Sequence, residues 1–248
     1  MSLDCIRSAC GKPLLKPQNL AIIATILLIM SCSGYGEKIV FGKWEVYYKN
    51  VEFQEAIALG NTLVPLPFYE DETKSIQMSR KDGIMHLRLV VKAPLRGDRA
   101  TAWTVSAIGY LLKSGLYPED SVVMHICDNH FSALVDLPVR FIGSGQGNIM
   151  FTDSIPVAMA ARLGTYLDAA GFSGPGHEYL VQVDKQGETY LFRTVSRPGA
   201  ERDPEKVEMA RIFTSTLSSA VFGNAPVDYH FTDELLRTTR VVFYSGLL

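Results

Sequence analysis

Apolar and polar positions along this chain alternate in two rhythms, period two and period 3.6, and their succession is written twice. From residue 43 a short alternating run at 45–48 gives way to a helical period over 51–63, with Ala56, Leu59, Gly60 and Leu63 on one face. Two β-rich runs follow at 75–79 and 85–92, then a helical period over 99–114, then alternating runs at 122–127 and 133–141. The order returns from residue 147. A strand is expected at 149–151, and a helix opened by Ser154 and Pro156 and closed by Gly171 comes next. Strands at 179–183 and 189–195 meet around Gly187, Asp203 and Pro204 cap and open a second helix, and strands at 227–232 and 238–243 close the copy.

The displacement between copies is about 104 residues and drifts slightly. Ala56, Leu59, Gly60, Leu63 and Phe68 correspond to Ala160, Leu163, Gly164, Leu167 and Phe172. Gly83 corresponds to Gly187, Asp98 to Asp203, Val122 to Val227, His125 to His230, and Asp128 to Asp233. Strand, helix, hairpin, helix, strand is the split βαβ succession of ferredoxin-like domains with one strand added. The expected fold is therefore α+β, a tandem duplication of a β-α-β-β-α-β-β unit with antiparallel sheets and helices on one face. Gly143-Ser144-Gly145-Gln146-Gly147 reads as a flexible linker, because it leads from strand to strand and not into the helix N-terminus that a phosphate-binding loop requires.

The amino terminus differs in kind. Lys12 and Lys16 precede an uncharged run over 20–30, too short to span a bilayer as a helix, which ends in Ser31 and Cys32. Ile29-Met30-Ser31-Cys32 resembles the lipobox of bacterial lipoproteins. That resemblance implies cleavage before Cys32, diacylation of that cysteine and attachment to a membrane facing the periplasm. Ser33 in place of aspartate favours the outer membrane where there are two. The domain plan becomes a signal peptide at 1–31, a lipid-anchored tether at 32–42, repeat one at 43–142, the linker at 143–147 and repeat two at 148–248. The body also resembles tandem α+β repeats of bacterial secreted proteins, through its hydrophobic spacing and scattered glycines.

Composition removes some functions. A formal charge of -2 and a pI near 6.2 leave no basic surface to displace phosphate counterions, so nucleic acid is not an expected partner. Cys5 and Cys10 lie in the implied signal peptide and Cys32 carries lipid, which leaves Cys127 as the one mature thiol with no disulfide to form.

The densest polar cluster is His125-Ile126-Cys127-Asp128-Asn129-His130. Imidazole and thiolate are ligands for zinc or copper, so His125, Cys127 and His130 form a candidate transition-metal site. Cys127 beside either histidine could also serve as an activated thiol, although no oxyanion-hole signature accompanies it. The second copy keeps the histidine and aspartate as His230 and Asp233 but carries Thr232 and Leu235 at the other two places. On that comparison Asp128 and Asp233 are expected to shape a turn and His125 and His230 to fit the sheet. His86 and His177 read as isolated. The strand aromatics are expected to be buried where two half-open sheets meet, or else to line a groove for a partner.

Two functions of different class follow. The first is a non-catalytic, lipid-anchored envelope protein without a cofactor that binds an envelope protein or cell-wall component through its sheet faces. The second is a periplasmic metal-binding or thiol-based protein using His125, Cys127 and His130.

Overall fold

The computed structural model describes residues 34–66, 72–145, 147–172 and 178–246. Cys32 and the leader before it lie outside the described residues, as do Pro67, Phe68 and His177. The segment Glu37–Leu248 forms one compact unit. Among the described residues no helix is long and apolar enough to cross a membrane.

Repeat one runs β1 (Glu37–Phe41), β2 (Trp44–Lys49), α1 (Phe53–Leu63), β3 (Lys74–Lys81), β4 (Ile84–Val90), α2 (Arg99–Gly115), β5 (Ser121–Cys127) and β6 (Ala133–Pro138). Repeat two runs β7 (Phe141–Ser144), β8 (Gly147–Phe151), α3 (Val157–Ala169), β9 (Tyr179–Gln186), β10 (Thr189–Val195), α4 (Pro204–Ala220), β11 (Val227–Thr232) and β12 (Thr238–Val242). The two repeats do not share a sheet. Each builds its own six-stranded sheet, with strands in the order of the sequence.

The α+β class and the twofold organisation stand, but the expected antiparallel sheets do not. Both sheets are mixed, because β2 runs parallel to β3, β4 to β5, β8 to β9 and β10 to β11. A helical crossover returns the chain in its original direction, so the strands it joins are parallel. Here those strands are immediate neighbours. A split βαβ unit would leave a gap between them for a third strand, and this order departs from it.

Two segments expected to be unstructured are strands. Residues 37–41 of the expected tether pair with β2, and the two ends of the expected linker are strand, Gly143 and Ser144 closing β7 and Gly147 opening β8. Neither has enough apolar alternation to announce itself, and both are fixed by close approach to a helix. A Cβ on Gly60 of α1 would strike the Phe41 ring of β1, and one on Gly164 of α3 would strike the Ser144 side chain of β7. The glycines shared by the two copies are the contact points of these edge strands.

In each sheet one face receives both helices. Val46, Ile76, Met78, Met85, Leu87, Met124 and Ile126 pack beneath Leu59 and Leu63 of α1 and Val105, Ile108 and Leu112 of α2. Val181, Val183, Phe192, Val227 and Phe231 do the same beneath Leu163, Leu167, Val207 and Leu217. Asp203 caps its helix as expected, its side chain accepting from the Glu205 and Lys206 amides, and Asp98 does the same at the matching place in repeat one, accepting from the Thr101 amide.

The repeats stack head to tail, whereas the sequence suggested sheet face against sheet face. The side of α2 turned away from its own sheet, with Ala107 and Tyr110, packs on Met150, Leu180 and Leu236 of repeat two. α2 thus lies between the two sheets. Leu235, in the turn before β12, reaches into the core of repeat one.

Candidate binding face of the first repeat

Strand register aligns the two copies more strictly than residue matching does. The β3–β4 turn is Asp82-Gly83, with φ of 51° and 76°, while the β9–β10 turn places its positive φ at Gly187, the first turn position. Asp82, not Gly83, is therefore the counterpart of Gly187. A constant offset of about 105 residues then holds from β3 onward.

That offset exposes a duplicated row across the helix-free faces. In sheet one, Tyr47, Gln77, Arg88, His125 and Asp136 sit side by side on β2 to β6. In sheet two the row is Met150, Gln182, Arg193, His230 and Val241. Glutamine, arginine and histidine recur at the same three central places.

In repeat two the row is the seat of a helix. The Arg193 guanidinium lies 3.6 Å from the centre of the Trp103 ring of α2 and donates to Gln182 Oε1 at 3.0 Å, to Thr238 Oγ1 at 3.0 Å and to the Leu236 carbonyl. Trp103 Nε1 donates to Asp184 at 2.8 Å, and Arg99 of α2 donates to the same carboxylate at 3.0 and 2.7 Å. Thr152 and Ser154 hydroxyls complete the shell at 2.6 and 2.8 Å. Burial opposes the charge of Asp184, but these hydrogen bonds outweigh it and hold the carboxyl below its ordinary range. Burial lowers Arg193 to about 9, and burial together with the Arg193 charge lowers His230 to about 4.

In repeat one the row carries different neighbours. Arg88 donates to Ser79 Oγ at 2.8 Å, and Ser79 stands where repeat two has Asp184. His125 Nδ1 lies 2.7 Å from Asp136 Oδ1, and its Nε2 lies 2.9 Å from His86 Nδ1. The Asp136 carboxylate holds a hydrogen on His125 Nδ1, and with the ring in its neutral tautomer Nε2 accepts from His86 Nδ1–H. That leaves His86 Nε2 as an acceptor. Burial above all lowers the pKa of His86 and favours its neutral form. His86 and Asp136 belong to the first copy alone, since Leu191 and Val241 take their places in the second. The histidine read as isolated is thus the end of a three-residue chain.

The other expected site residues divide. Asp128 Oδ1 accepts from the His130 and Ser132 amides, and Asp233 Oδ1 from the Leu235 and Arg237 amides, so both aspartates shape the same turn. Phe131 and Leu236 take matching left-handed positions with φ of 57° and 55°. Cys127 is fully buried at a register shift between β5 and β6. Burial pushes its thiol up to about 12, and Sγ contacts the His125 carbonyl at 3.7 Å. Both ring nitrogens of His125 are engaged by Asp136 and His86. Among the described residues no three His, Cys, Asp or Glu side chains gather as a metal-holding group.

Gln77, Arg88, Gln182 and Arg193 escaped the sequence reading. Pairing Gly83 with Gly187 shifts the alignment by one, and in a strand a shift of one moves every side chain to the opposite face. Compared with known proteins, the chain matches no family and no curated sequence.

Proposed function

We propose that the protein is a lipid-anchored, non-catalytic component of a cell envelope, held at the membrane through acylated Cys32, which binds a partner protein on the helix-free face of its first sheet. The observation that carries the binding reading is the duplicated glutamine, arginine and histidine row, because in repeat two the same row is what a helix docks on. By that internal precedent the partner presents a helix, with an aromatic ring or a carboxylate over Arg88. The Asp136–His125–His86 chain supports the reading by orienting a hydrogen-bond acceptor beside that guanidinium. A net charge of -2 gives no reason to expect nucleic acid.

The test is crosslinking in cells with a photoreactive residue at Ser79, on the face, and at Glu208, on the outer side of α4. A discrete adduct from position 79, absent from position 208 and abolished by Arg88→Glu, is the expected result. Adducts that ignore the Arg88 substitution would end the proposal. For the anchor, Cys32→Ala is expected to move the protein from the membrane to the soluble fraction, and continued retention would remove lipidation from the account.

A further inference from the structure

Repeat two holds a cavity of about 500 Å³ between α3, α4 and the helix-bearing face of its sheet. This site is separate from the binding face of repeat one. Its walls are rings. Phe172 stacks on Phe213 at 5.3 Å, Phe213 meets Tyr229 edge-on at 6.4 Å, and Tyr229 lies 4.8 Å from Phe231. At the mouth stand Arg197 and Lys206, both exposed, and among the described residues neither side chain pairs with a carboxylate. Met209, also lining the cavity, is 54% exposed.

The duplication supplies a control. At the register-matched positions of Phe213, Tyr229 and Phe231, repeat one carries Ile108, Met124 and Ile126, all buried in an aliphatic core. The rings of repeat two therefore answer no demand of the shared fold. Met124 is the kind of side chain that fills irregular space, and the cavity of repeat two lies where a tyrosine takes that place. A second observation points to a ligand. The Tyr229 side chain lines the cavity, and no hydrogen bond from a described residue reaches its hydroxyl. Burial alone accounts for its raised pKa. The hydroxyl keeps some exposure and has no partner among the described residues, so it is free to donate to an occupant that carries an acceptor oxygen.

The geometry points to a binding site for an aromatic carboxylate, its ring system held among Phe172, Phe213, Tyr229 and Phe231 and its charge met by Arg197 and Lys206. A volume of this size is ordinary for small-molecule sites lined by apolar groups with a few polar ones. A carboxylate supplies acceptors for the two cations and for the Tyr229 hydroxyl, and the aromatic walls favour ring over chain through edge-to-face contact.

The test is equilibrium binding of 2-naphthoate to the full chain, with 2-naphthalenemethanol as the neutral ring and dodecanoate as the anionic chain. Naphthoate is expected to bind, with the neutral ring and the chain each weaker by roughly tenfold. Arg197→Glu with Lys206→Glu, both on the surface and outside the core, is expected to weaken naphthoate by roughly tenfold or more without changing thermal stability. Phe213→Ile, the residue of repeat one, is expected to abolish the preference for ring over chain. Absence of naphthoate binding, equal binding of the neutral ring, or preference for dodecanoate would each overturn the assignment.

Discussion

At the scale of single residues, the helix-free faces show how one side-chain type acquires different chemistry from its cover. His125 and His230 occupy matching places, yet His125 is drawn into a chain with His86 and Asp136 while His230 is buried beside Arg193 and edge-on to Trp103. The His230 pKa is lowered to about 4, so between the ordinary histidine value and 4 the unfolded chain binds a proton that the folded one does not. Stability must therefore fall as pH drops through that window, by at most about 3 kcal/mol. Asp184 acts below it: its carboxyl is depressed, so its contribution is present above its unfolded pKa and is lost at still lower pH. Urea unfolding followed from pH 7 to 4 checks the histidine part. His230→Gln is expected to flatten the dependence between pH 6.5 and 4, and an unchanged slope would assign it elsewhere.

At the scale of elements, the helices were legible because caps and period coincide, as at Asp98 and Asp203. The edge strands were not. β1 and β7 are short, polar in part and held by approach to a helix distant in sequence, which a local pattern does not report. Gly60 makes this testable. In an exposed helix, glycine to alanine gains about 1 kcal/mol, but at Gly60 the added methyl meets the Phe41 ring. Gly60→Ala is expected to destabilise by about 1–2 kcal/mol net of that gain and to speed hydrogen exchange in Glu37–Phe41. Gly115→Ala, with open space around it, should be neutral or stabilising. Thermal melts of the two variants decide the point, and a Gly60→Ala as stable as the parent would remove the close-approach explanation.

At the scale of the molecule, the decisive fact is the order of layers. Because α2 lies between the sheets, repeat two has its helix-free face closed by repeat one, and Trp103 joins them through Arg193, Asp184 and His230. Trp103→Ala should cost about 3–5 kcal/mol and leave Arg193 and Asp184 short of partners. Hydrogen exchange in β9 to β11 is then expected to rise well above that in β2 to β4, where the parent protects both sheets. Equal loss in both would mean that Trp103 serves only the core of its own repeat.

The chain by itself determined the α+β class, the duplication, the helices with their caps and the aspartate turns, because each rests on spacing within a few residues of a single segment. Tertiary structure alone decided that the sheets are mixed, that residues 37–41 of the supposed tether and both ends of the supposed linker are strand, and that the copies stack head to tail. It also brought His86 to His125, 39 positions further along the chain. Those outcomes depend on register and on which surface covers which. Both are set by packing between distant segments, where a displacement of one residue exchanges the two faces of a sheet.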